Sequence, residues 1–219
     1  HYPDKRIGVF HQDFEAQYQT TTDFVSRMFE NNLRDIEPYW VCLPMGSRCA
    51  VSNYQMYWYP WDPDKEELWV RPMPKMPYII NMDNNPFDFY RYKMVQEDLY
   101  AEFGEWYSRQ KKGKTICLLG IRADESLNRY RAYANDRKTI MQGNQWTTKM
   151  GENWWNAYPI YDWTTKDVWI ANGKFDYDYN RIYDLFWKAG LSISQMRVAS
   201  PYHESAKESL NLYRVLEPA

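Results

Sequence analysis

Thr115-Ile116-Cys117-Leu118-Leu119-Gly120, running on into Ile121-Arg122-Ala123-Asp124-Glu125-Ser126, is the stretch on which the fold turns. A short continuous apolar run closed by glycine reads as a strand buried on both faces, the habit of parallel sheets. The polar residues after it then lie at that strand's carboxyl end, where open α/β sheets bind ligands. Upstream, Phe87 to Lys112 has helical spacing, with Phe89, Lys93, Gln96 and Tyr100 on one side and Tyr92, Val95, Leu99, Phe103 and Trp106 on the other. Gly113 is placed to end it. The same alternation recurs nearer the start. Ile7-Gly8-Val9-Phe10-His11 reads as a strand. Thr20 to Asn32 reads as a helix, with Phe24, Val25, Met28 and Phe29 on one face and Thr20, Thr21 and Thr22 offering hydroxyl caps. Tyr39 to Leu43 reads as a second strand, stopped by Pro44. Strand, helix, strand is the rhythm of a parallel sheet, so the expected class is α/β.

Two stretches break that rhythm. Residues 45–85 carry Pro60, Pro63, Pro72, Pro74 and Pro77 and the aromatic run from Tyr54 to Trp61. So long a connection is unusual in a compact domain, and it reads as an aromatic and proline-rich insertion over one face of the sheet. Residues 127–153 read as polar and irregular. Tyr158-Pro159-Ile160-Tyr161-Asp162-Trp163 then precedes a short helix. Tyr179 to Lys188 reads as a helix closed by Gly190, with Ile182, Leu185, Phe186 and Ala189 inward, and Ser205 to Tyr213 as a last short helix.

The formal net charge of -2 gives no global positive field for DNA or RNA, which disfavours nucleic acid as a partner. The basic run Arg109-Gln110-Lys111-Lys112-Gly113-Lys114 reads as a solvated helix end. With 11 Trp and 20 Tyr, aromatic side chains must fill much of the core, and some could stack on a nucleobase. Cys42 and Cys117 sit in apolar runs as buried small hydrophobes, and no Cys-x-x-Cys occurs. His1, His11 and His203 are too far apart in sequence for metal-ligand spacing, so no metal site is expected. No apolar run approaches the roughly 20 residues of a membrane span, and no signal peptide is visible. A reducing, cytoplasmic setting without a membrane partner is therefore expected. The chain opens on His1, a few residues before a strand, and reads as a segment of something longer.

Polar residues gather at two strand ends and before one helix: His11-Gln12-Asp13-Phe14-Glu15-Ala16-Gln17, then 120–126, then 158–163. Gly120-x-Arg122-x-x-Glu125-Ser126, followed by Arg129 and Arg131, resembles the arginine loop of the phosphoadenosine phosphosulfate (PAPS) reductase-like family, in the PP-loop adenine nucleotide α-hydrolase superfamily. Pro159-Ile160-Tyr161-Asp162-Trp163-Thr164-Thr165-Lys166-Asp167-Val168-Trp169 resembles that family's downstream motif. Phe10-His11-Gln12-Asp13, before a helix opening in threonines, is similar to its second-strand motif, usually hydrophobic-Asp-Thr-Gly. The three lie in family order across residues 7–170. The wording from Phe10 to Tyr18 and the aromatic tail around 177–217 resemble a prophage- and bacteria-associated branch.

This resemblance implies a Rossmann-like fold: a five-stranded, mainly parallel sheet sandwiched by helices. It implies a nucleotide-binding domain over 1–170 and a helical extension over 171–219. The implied ligand is ATP or an adenylyl sulfate such as PAPS, with Mg2+ as a compatible companion and no covalently bound cofactor. Arg122 would face phosphate or sulfate and Asp13 would lie beside the nucleotide, both in catalytic positions. Gln12, Gln17, Gly120, Glu125, Ser126, Arg129, Arg131, Asp162 and Trp163 would surround them. A guanidinium forks onto two oxyanion oxygens, which suits Arg122 to that place. On the residues alone, Arg122 also reads as a structural ion pair with Asp124 or Glu125. Thr164-x-x-Asp167 reads as a helix cap, and Trp163 and Trp169 as core.

Three features depart from the family. No two glycines are adjacent, so its Ser-Gly-Gly-Lys-Asp-Ser loop, whose amides hold pyrophosphate, has no counterpart here and would precede residue 1. Gln12-Asp13-Phe14-Glu15 stands where Asp-Thr-Gly is usual. No cysteine follows Cys117, which disfavours thiol-dependent reduction of PAPS. Three functions are compatible, in this order: transferase or ATP-pyrophosphatase-type action at the phosphates of an adenine nucleotide; a non-catalytic nucleotide-sensing module; and a nucleic-acid sulfur-modification partner that stacks bases on the stretch from Tyr54 to Trp61. A homodimer or a partner protein is compatible with each.

Overall fold

The computed structural model describes residues 6–135, 138–206 and 210–216. The first βαβ unit keeps the expected order, with β1 (Ile7–Gln12), α1 (Gln19–Asn32) and β2 (Ile36–Val41), although β2 starts three residues before the expected Tyr39 and ends two before Leu43. β1 and β2 run parallel, from Ile7 opposite Ile36 to Gln12 opposite Val41. The stretch 45–85 is not structureless. It holds an antiparallel hairpin of β3 (Ser47–Arg48) and β4 (Tyr57–Trp58), a 3-10 turn over Pro63–Leu68, and β5 (Ile79–Ile80). β5 pairs parallel with β2, but only at Trp40 and Val41. Pro38, which has no amide hydrogen to give, therefore stands where, among the described residues, one edge of β2 has no strand beside it.

Apolar burial fixes this sheet. Trp40, Cys42 and Ile79 pack with Phe29 of α1 and with Trp61 from the insertion. His11 meets Trp40 edge-on at 4.9 Å. The threonines of α1 do not cap it: Tyr18 is the cap residue, without a side-chain bond. The Thr21 hydroxyl accepts from Asn180 at 2.8 Å and the Thr22 hydroxyl from Gln17 at 2.9 Å, inside the first turn.

The chain divides into two compact units, one of residues up to 86, 91–96 and 179 onward, the other of 87–90 and 97–178. In the second, α2 (Gln96–Lys111) starts at Gln96, not Phe87. Its aromatic spacing upstream of Gln96 reflects packing instead: Phe87 meets Phe89, Phe103 and Trp106 at 5.0–5.7 Å between ring centres. At its end Lys112, not Gly113, takes the left-handed conformation (φ 51°), and the Gly113 amide reaches back to the Ser108 carbonyl at 3.4 Å. Then come β6 (Thr115–Leu118), α3 (Leu127–Ala134), β7 (Thr147–Lys149), β8 (Trp154–Ala157) and α4 (Thr165–Phe175). β6 and β8 are parallel, and β7 is antiparallel on the far side of β8. Residues 127–153, expected to be irregular, thus contain a helix and a strand.

After Tyr179, α5 (Ile182–Lys188) is closed by Gly190 at φ 84°, and α6 (Leu210–Leu216) follows later than expected. Both pack around Tyr18, which stacks on Tyr213 at 3.8 Å and meets Phe186 edge-on. This segment therefore belongs to the first unit. The protein is mixed α/β with a parallel sheet and flanking helices. Where one five-stranded sheet was implied, β1-β2-β5 and β6-β8-β7 are hydrogen-bonded separately. β6 is not buried on both faces either: Ile116 and Leu118 are 47% and 65% exposed, and Cys117 is half-buried.

Candidate functional site

Because β6 and β8 are parallel neighbours, their carboxyl ends open side by side. The Leu119 amide extends the ladder to the Ala157 carbonyl at 2.9 Å, and the Ala123 amide ties the two outgoing loops together at the Tyr161 carbonyl, 2.7 Å away. Between them lies Arg122, its side chain only 13% exposed. Its Nη1 donates to the Thr165 hydroxyl at 3.2 Å and stands 3.7 Å from Asp124 Oδ2, while its Nε stands 3.4 Å from Glu125 Oε1. The same Asp124 oxygen accepts from the Thr165 amide in the first turn of α4. The ion-pair geometry weighed for Arg122 is therefore present. It is long and not bidentate, and a guanidinium has five N–H donors, so part of Arg122's donor set can serve an oxyanion.

The surrounding residues divide by role. Glu125 stands 3.8 Å from Arg129, and the Ser126 hydroxyl caps α3 by accepting from the Arg129 amide. Gly120, Arg131 and Asp162 are exposed and Trp163 is half-buried. Thr164 and Asp167 form the capping box read from sequence. The Thr164 hydroxyl and amide hold the Asp167 carboxyl below its ordinary range.

Asp13, in the first unit, is not placed to touch a ligand: it has no exposed surface. Its Oδ1 accepts from Arg71 Nη2 at 2.5 Å and from the Glu15 amide at 2.8 Å, and its Oδ2 accepts from Trp40 Nε1 at 2.9 Å. Glu15, at φ 62°, accepts the Trp61 and Val70 amides at 2.7 and 2.9 Å. The Asp13 carbonyl takes Trp61 Nε1, and the Glu15 carbonyl takes Arg71 Nε. The Asp-Phe-Glu departure thus has a structural job, pinning residues 61–71 over the end of β1. Burial raises the Glu15 carboxyl by more than its two amide bonds lower it. Gln12 is buried with neither amide atom paired among the described residues, and Gln17 is engaged with Thr22. Arg71 was not legible as a site residue, since its partners lie more than fifty positions away in sequence.

The proposed stacking platform is broken up by the fold. Tyr54 is fully exposed, but Trp61 is buried in this hub and Trp58 packs on Tyr202 at 4.4 Å.

Residues 190–219 match a family described as a domain of unknown function, DUF3440. The chain is 36% identical over 217 residues to the uncharacterized protein YbdN of Escherichia coli (strain K12), covering 98% of this chain and 52% of that protein. It thus spans about half the length of this relative. No solved structure matches. Among the described residues, no helix is long and apolar enough to cross a membrane, and no group of three or more His, Cys, Asp or Glu is arranged to hold a metal ion.

Proposed function

We propose that this chain is the nucleotide-binding part of a PAPS reductase-like or sulfotransferase-like protein that binds ATP or an adenylyl sulfate and acts at its phosphates. The observation that carries this reading is Arg122, a mostly buried guanidinium held where the loops after two adjacent parallel strands are tied together. That is where α/β sheets bind ligands, and the chemistry suits a phosphate or sulfate. On this reading the fold is Rossmann-like. Arg122 stabilises charge on the transferred group, with Arg129 adding to the field. Mg2+ brought in with the nucleotide would supply charge neutralisation at the phosphates. Free thiols at Cys42, Cys49 and Cys117 fit a reducing compartment such as the cytoplasm.

Titration calorimetry with PAPS and with ATP tests it. Arg122→Ala should weaken binding by about 10- to 100-fold, as expected for loss of a charge-assisted hydrogen bond. Equal affinities remove Arg122 from the site, and absence of saturable binding to the wild type ends the reading. A non-catalytic sensor is favoured by the enclosed Asp13, which leaves one expected catalytic group without access. Binding with no pyrophosphate or sulfate released over long incubation selects that second reading.

A further inference from the structure

Residues 66–84 of the first unit border a cavity of about 600 Å³, within the size range of small-molecule sites. It lies at a carboxyl edge of the parallel sheet. Asn81 on its wall directly follows β5, Asn84 bonds back to the Ile79 carbonyl of that strand, and Arg71 on the same wall is bonded to Asp13, which directly follows β1. Its apolar side is formed by Trp69, Met73 and Met76, which pack from behind against the Trp40 and Ile79 core. Pro72, Pro74 and Pro77 stiffen the bordering backbone, so little order remains to be gained on binding.

Two cations border this cavity. Arg71 is fixed: Nε donates to the Glu15 carbonyl, Nη2 to Asp13, and the guanidinium lies 4.9 Å above the Trp61 ring. Its Nη1 has no partner among the described residues. Lys75 is exposed and pairs with no acid among them. Glu66, also on the wall and without an ion pair among the described residues, is the opposing charge.

We propose that this cavity binds a small organic anion. One carboxylate, sulfate or sulfonate group is held by Arg71 Nη1 and Lys75, and a flat apolar body lies against Trp69 and the two thioethers. Guanidinium and ammonium donors supply charge-assisted bonds to the anion, and thioether and indole surfaces suit an aromatic ring. The inference does not depend on the nucleotide reading, because every lining residue belongs to the first unit.

Calorimetric titration of the whole chain with naphthalene-2-sulfonate, and with neutral 2-naphthylmethanol, tests it. The expected result is saturable one-to-one binding of the sulfonate, at least about tenfold tighter than the alcohol, with Lys75→Glu weakening it about tenfold and Glu66→Gln tightening it. Both substitutions are at exposed positions, and unchanged far-ultraviolet circular dichroism confirms that the variants fold. No saturable binding of the sulfonate overturns the proposal. So does equal binding of the alcohol, or sulfonate affinity unmoved by Lys75→Glu.

Discussion

Asp13 and Arg122 each sit in a carboxylate–guanidinium pair, but burial gives the two pairs opposite roles. In the Asp13–Arg71 pair the carboxylate is fully buried and accepts three hydrogen bonds, so loss of Arg71 would strand its charge at a cost of about 3–5 kcal/mol. Such a pair organises structure. Arg122 keeps longer contacts to partly exposed carboxylates, which are weak and exchangeable. Beside Asp13, burial lowers the His11 imidazole to about 4, with attraction to Asp13 opposing it. The ordinary value is 6.5. Between these values the unfolded chain binds a proton that the folded chain does not. This contribution to stability is complete above pH 6.5 and is lost as pH falls towards 4, by at most about 1.4 kcal/mol per pH unit. Glu15, with its raised value, acts in the opposite sense: stability falls as pH rises from the unfolded value through the folded one. Comparison with His11→Phe, which keeps an aromatic ring against Trp40 and Phe29, isolates the histidine. In urea titrations at pH 7 and pH 5, the wild type should lose about 1–2 kcal/mol more than His11→Phe. An identical pH dependence in both proteins contradicts the assignment.

Among the elements, some strands, one helix and one cap were legible in the sequence. β1, α1, β6 and the Thr164–Asp167 cap of α4 stand within a residue or two of where residue pattern put them. β5 and β8 were missed because two to four residues cannot display a period, and Trp154-Trp155 lacks the β-branched run that marked β6. Phe87 to Val95 was read as helix because aromatic packing imitated a helical repeat. Lys93 at φ 59° cannot belong to one. Of the candidate site, the loop around Arg122 was legible. The clamp of Glu15 and Arg71 was not, because it exists only through long-range contacts. β8 also explains a glycine inside α2. A Cβ at Gly104 would stand 2.7 Å from the buried Trp154 ring, so bare backbone is what lets helix and strand meet. Gly104→Val should therefore destabilise by about 2–3 kcal/mol in chemical denaturation, despite valine's better helix propensity. A neutral or stabilising result would show that the ring has room to move.

At the scale of the whole molecule, the described residues form two three-stranded sheets and one two-stranded hairpin where a five-stranded sheet was implied, in a chain that spans about half its relative's length. Each unit contains parallel neighbouring strands, and in each the carboxyl end carries the informative residues: the Asp13 hub and cavity in one, the Arg122 loop in the other. A net charge of -2 makes attraction of an anionic ligand a local matter, dependent on where individual guanidinium groups stand. Occupancy of the Arg122 loop by an adenylate's anionic group is therefore what the proposed function requires. The most direct measurement is a nuclear magnetic resonance titration of isotopically labelled protein with PAPS. Saturable shifts of the Gly120 amide and the Arg122 Nε–H signal, together with Thr165 and absent with adenosine alone, are predicted. Signals from residues 120–126 and 161–165 that stay unmoved through the titration would contradict the account.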